Sequence, residues 1–107
     1  MEKDIQITNL YESYKQLLTK NMRDVFELYY YEDLSLREIG ENKGITYQAA
    51  RDSIKKVEKQ VLEYEQKLGL NNLKQKVEKI KEHINSESNS ETKVKNIKKI
   101  LEEKNNI

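Results

Sequence analysis

The sequence predicts an all-α protein: a helix-turn-helix bundle with a long recognition helix and a C-terminal helical extension. Three observations carry this expectation. Apolar residues recur at three- and four-residue spacings from Ile7 to Leu101, the period of a helix and not of a strand. Helix caps and a glycine stand in register between Ser35 and Thr46. There is no Pro, and 36% of the residues are charged, which suits long solvated helices.

The first helix is expected from about Thr8 to Leu18, with Ile7, Leu10, Tyr14 and Leu17 on its apolar face. Thr19 can cap a second helix that carries Met22, Val25, Phe26, Leu28, Tyr29 and Tyr30. Tyr29, Tyr30 and Tyr31 point in three directions on a helix. Tyr29 and Tyr30 fall on the apolar spacing, which places one or two of the rings in the core; an aromatic stacking platform for nucleic acid is the competing reading. Glu32 and Asp33 end this helix.

The motif itself spans residues 35–59. Ser35 and Glu38 form a capping box, in which the hydroxyl and the carboxylate each accept from the other residue's backbone N–H. Leu36 and Ile39 share one face of a short helix. Gly44 stands where that helix must stop in a left-handed conformation, which Gly adopts without a Cβ clash. Ile45 is expected to plug the corner, and Thr46 to cap the next helix. Ala49 and Ala50 are small enough for a close helix crossing, and Ile54 and Val57 continue the buried face. Two helices joined by a short Gly-containing turn form the DNA-binding arrangement, although an ordinary helical hairpin can share it.

The second helix of the motif should run over residues 47–68, because Ala50, Ile54, Val57, Val61, Tyr64 and Leu68 form an a/d seam. Gly69 stops it. The N-terminal helices are expected to cover only the first half of the seam. The remainder calls for a homodimer or for fold-back of the next helix, with the homodimer preferred. A helix-turn-helix domain over 1–70 is thus followed by an extension over 71–107. In the extension Leu73, Val77, Ile80 and Ile84 define one helix, and Val94, Ile97, Ile100 and Leu101 another, docked or frayed. A polar linker, 85–92, separates them. The expected core is Leu17, Leu28, Leu36, Ile39, Ile45, Ile54 and Val57.

Enzyme chemistry has little to stand on. There is no Cys, His83 is the only His, and no zinc-protease, phosphate-loop, dinucleotide or serine-elbow motif occurs. No catalytic residue, metal site or cofactor is therefore expected. The start of the chain lacks the basic and apolar blocks of a signal peptide, and no apolar run approaches membrane-spanning length; a cytoplasmic protein with no membrane partner is the expectation. Residues 1–70 hold 11 Lys/Arg against 13 Asp/Glu, a net −2, and residues 71–107 hold 9 Lys against 6 Glu, a net +3. The motif thus sits in a slightly acidic body, unlike a typical DNA reader.

With Ala50, Ile54, Val57 and Val61 turned to the core, the opposite face of the long helix holds Gln48, Asp52, Lys55 and Lys59. Arg51 and Lys56 flank it, and Tyr47 lies at its N-terminal edge. Gln48 and Arg51 are candidates for base edges; Lys55, Lys56 and Lys59 are candidates for phosphates. Asp52 would repel phosphate from the centre of this face unless Lys55 or Lys56 pairs with it.

The stretch SLREIGENKGIT resembles the helix-turn-helix of sigma factor region four. The pieces LYESYKQLLT, LYYYEDLSLREIGENKGITYQAARDSIKK and EYEQKLGL, in this order, look like the YlxM-like proteins. These are small bacterial helix-turn-helix proteins whose gene commonly neighbours that of the signal recognition particle GTPase. The resemblance covers residues 5 to 70. It implies a sigma-region-four-like fold and a non-catalytic accessory or regulatory role in the signal recognition particle pathway, with the particle's protein or RNA as partner. Gln48 and Lys55 match the family pattern. Tyr47 stands where the family usually has a basic residue, and Ala50 and Arg51 where it has Val and Tyr. The residues themselves leave open a sequence-specific DNA-binding transcriptional regulator.

Overall fold

A computed structural model describes residues 1–85 and 90–103, which hold helices and no strand. The order is α1 (Ile5–Tyr14), a 3-10 turn (Lys15–Leu17), α2 (Lys20–Tyr30), α3 (Leu36–Lys43), α4 (Tyr47–Leu68), α5 (Leu70–Ile84) and α6 (Ser90–Glu102). The chain divides into two compact units, Met1–Tyr64 and a second that begins at Glu65.

α1 starts three residues earlier than its apolar spacing suggested, because Asp4 caps it: the Asp4 carboxylate accepts from the Gln6 N–H at 2.9 Å. It also ends earlier. The chain tightens into a 3-10 turn after Tyr14, and three residues per turn instead of 3.6 shifts the apolar phase by one position. Leu18 therefore takes the buried place, and Leu17, expected in the core, is exposed.

The first unit has two apolar clusters with α2 between them. On one side of α2, Phe26 packs with Ile7, Leu10, Tyr11, Tyr14, Leu18, Val57 and Val61. On the other, Val25 and Tyr29 pack with Leu36, Ile39, Ala50 and Ile54, and Leu28 is only partly covered. Tyr11, Phe26 and Tyr30 form a continuous stack, with centroids 4.0 Å and 4.3 Å apart. Tyr29 is buried and Tyr30 half-buried, as the apolar spacing suggested, and Tyr31 meets Phe26 edge-on. The N-terminal segment is tied across α2: the Tyr29 hydroxyl donates to the Met1 carbonyl at 2.9 Å, and Lys3 pairs with Asp33.

Two expectations about α4 and its approach need correction. Ile45 does not plug the corner; its side chain is exposed, and the space beside α3 is taken by its backbone, whose carbonyl oxygen comes against Gly40. The seam is also covered further than expected. Val61 is fully buried beneath α1 and α2, and Tyr64 packs on Tyr14 with centroids 5.8 Å apart, so only Leu68 is left open. The uncovered stripe that motivated a homodimer through α4 is thus reduced to its last residue.

In the second unit, Gly69 at φ 62° lets α5 begin one residue after α4 stops. The buried Glu65 carboxylate accepts from the Asn71 and Asn72 N–H groups at 2.9 Å and 3.0 Å, which caps α5. α6 begins at Ser90, inside the stretch 85–92 expected as linker; of that stretch, 86–89 lie outside the described residues. α6 is docked on α5, with Ile100 buried.

Candidate nucleic-acid interface

The turn between α3 and α4 is built from local hydrogen bonds. Ser35 Oγ accepts from the Glu38 N–H at 3.1 Å, and Glu38 Oε1 accepts from the Ser35 N–H at 3.0 Å. The Ser35 N–H, and then its hydroxyl, hold the Glu38 carboxyl below the usual carboxylate range. Gly44 closes α3 at φ 68°, ψ 34°, and its N–H donates to the Gly40 carbonyl, which also accepts from the Ile45 N–H at 2.9 Å. Thr46 Oγ1 then accepts from the Ala49 N–H at 3.0 Å and starts α4.

Ala50, Ile54, Val57 and Val61 are fully buried, so the opposite face of α4 is oriented as its periodicity requires. Tyr47, Gln48, Asp52, Lys55, Lys56 and Lys59 are exposed there, and Arg51 is half-buried at the edge. Among the described residues, Arg51, Lys55, Lys56 and Lys59 have no ion-pair or hydrogen-bond partner. Asp52 does not pair with Lys55 or Lys56. It accepts instead from the Gln48 amide at 2.8 Å, one helical turn back. Gln48, the candidate for base edges, is thereby oriented by its neighbour, and the four cations stay available.

Many carboxylates of this acidic unit are engaged away from that face. Glu27 accepts from the Tyr11 hydroxyl at 2.5 Å, Glu58 from Tyr30 at 2.5 Å and Glu12 from Tyr31 at 2.8 Å. Asp24 pairs with Lys43 at 3.4 Å. Burial, and then the carboxylate each hydroxyl faces, push the Tyr11, Tyr30 and Tyr31 hydroxyls well above the usual tyrosine range. Sequence reasoning missed these pairs, which join residues 16 to 28 positions apart and leave no local signature. It also missed Gly40, whose one local trace is a glycine inside a helical pattern, tolerated there at a cost of about 1 kcal/mol relative to Ala.

Capping box, left-handed glycine and exposed cationic helix face together define a helix-turn-helix protein. The family model described as "Putative helix-turn-helix protein, YlxM / p13 like" matches residues 1–101, and the chain belongs to that family. The match extends beyond the stretch that carried the resemblance, through α5 and most of α6. A UPF0122 protein of Clostridium perfringens (strain 13) is 41% identical over 105 residues, 97% of this chain and 94% of the relative. One from Caldanaerobacter subterraneus subsp. tengcongensis is 44% identical over 89 residues, covering 78% and 76%. One from Bacillus cereus (strain AH187) is 36% identical over 106 residues, covering 95% and 96%.

Proposed function

We propose that the chain is a non-catalytic accessory or regulatory protein of the signal recognition particle pathway that binds nucleic acid through the exposed face of α4. The observation that carries the binding is the row Arg51, Lys55, Lys59, with Lys56 beside it. These cations follow one another every four residues, about 6 Å along the axis, and are free of partners among the described residues. The pathway is what the family resemblance implies. A second reading, a sequence-specific DNA-binding transcriptional regulator, is favoured by one feature: Gln48 and Arg51 occupy the first turns of α4, where helix-turn-helix proteins meet base edges.

The test is a pull-down from bacterial lysate, untreated or treated with ribonuclease or deoxyribonuclease, followed by anisotropy titration of the captured species. The proposal expects particle components whose capture depends on RNA and is weakened by Arg51→Ala with Lys55→Ala. Capture that deoxyribonuclease alone abolishes supports the DNA regulator. A partner retained through both nucleases, with the double variant silent, refutes nucleic-acid binding by α4.

A further inference from the structure

Among the described residues of the second unit, an apolar face is left open, and its geometry follows from how α5 and α6 meet. The two helices run antiparallel: Lys93 Nζ donates to the Ile84 carbonyl at 3.0 Å, Asn96 Nδ2 lies 3.4 Å from His83 Nδ1, and Lys79 meets the Glu103 carboxylate at 3.2 Å. Lys76 and His83 thus stand on the side of α5 that faces α6, and the buried Ile100 on the facing side of α6. Each residue advances about 100° around a helix. Val77 and Ile84 therefore lie about a quarter turn beyond Lys76 and His83, with Leu73 on the same side. Leu101 and Val94 lie about a quarter turn beyond Ile100 and Lys93. Because the helices point in opposite directions, this rotation brings both sets to the same side of the hairpin. The levels also agree, since Lys93 reaches Ile84 and Lys76 donates to the Glu103 carbonyl at 2.5 Å.

These five side chains are between 41% and 56% exposed, and α5 has no buried residue at all. At the next step outward the rim is basic on both helices: Lys74 and Lys81 on α5, Lys98 on α6, all exposed. Lys81 has Glu78 at 3.4 Å, and Glu78, Glu91 and Glu102 lie further round, toward the polar back. The rim decides what fits. A second copy paired about a two-fold axis would set these lysines against their own mates. A membrane surface is a poorer match, because residues 65–103 offer no Trp, Phe or Tyr anchor.

We propose that this face is the docking site for an amphipathic helix of a partner protein, with an aliphatic seam flanked by Glu or Asp, laid along α5 and α6 as the third helix of a bundle. The proposal does not depend on the nucleic-acid reading.

The probes are two labelled synthetic helical peptides that share a Leu/Ile heptad seam and carry Glu or Lys at the flanking positions. Each is titrated by anisotropy against the full chain. The Glu peptide is expected to bind about tenfold tighter, because three opposite-charge contacts replace three like-charge ones. Reversing the rim with Lys74→Glu, Lys81→Glu and Lys98→Glu should invert the preference. Val77→Asp with Leu101→Asp should weaken the Glu peptide at least about tenfold at unchanged helicity. Equal affinities, no binding by either peptide, or a preference that the rim variant leaves unaltered overturns the proposal. So does a dimer in sedimentation, or binding to phosphatidylglycerol vesicles, that Val77→Asp abolishes.

Discussion

Gly40→Ala tests the close approach of the α3–α4 turn because two effects oppose each other there. In an exposed helix interior the change stabilises by about 1 kcal/mol through helix propensity. At position 40 the added Cβ would lie 2.8 Å from the Ile45 carbonyl oxygen, where ordinary contact begins at 3.4 Å. That oxygen belongs to the backbone of a turn held on one side by the Ile45 N–H on the Gly40 carbonyl and on the other by the Thr46 cap. It cannot swing aside as a flexible side chain would. Overpacking of this kind costs about 1–3 kcal/mol, so the net expectation is a loss of about 1 kcal/mol despite the better helix former. Gly44 supplies the contrast. Nothing lies within 4 Å of its Cβ position, and its constraint is the positive φ alone. Gly44→Ala should cost about 1 kcal/mol, and Gly44→Asn should recover much of it because Asn tolerates the left-handed region. At position 40, Asn should be worse than Ala. All seven tyrosines lie within residues 1–64 and there is no Trp, so urea unfolding followed by intrinsic fluorescence reports on the first unit alone. A Gly40→Ala variant as stable as its parent, or more so, would show that the two backbones do not approach as described.

Three further outcomes are expected. Tyr11→Phe should destabilise the first unit by about 1.5–3 kcal/mol, the worth of a hydrogen bond to a charged group, and a double-mutant cycle with Glu27→Gln should show coupling; additivity would separate the two residues. Stability should fall as pH rises past about 10, because Tyr11, Tyr30 and Tyr31 keep their protons in the folded chain above the pH at which the unfolded chain loses them; urea midpoints that stay level through that window would contradict the tyrosine–carboxylate pairs. If Arg51, Lys55, Lys56 and Lys59 all meet phosphates, log affinity should fall with log salt at a slope of about −3 to −4, and each Ala variant should reduce the slope by about one; a flat salt response would remove these residues from the contact.

The parts of the protein that were legible without its structure are those whose physics is confined to a few neighbouring residues. The Ser35–Glu38 capping box, the left-handed Gly44, the Thr46 cap and the stop at Gly69 each depend on hydrogen bonds or dihedrals within one turn of chain. The orientation of α4 followed in the same way, because a 3.6-residue period fixes which side chains oppose Ile54 and Val57. Tertiary structure decided the rest. Leu18 replaced Leu17 in the core because one 3-10 turn changed the phase at the end of α1. Val61 and Tyr64 found cover because α1 and α2 reach further along α4 than a count of helices suggested. The tyrosine–carboxylate pairs depend on which helices meet, and nothing in a local window records that. Even Asp52, whose partners all lie within four residues, took Gln48 in place of a lysine, since three side chains can reach it and spacing alone does not rank them.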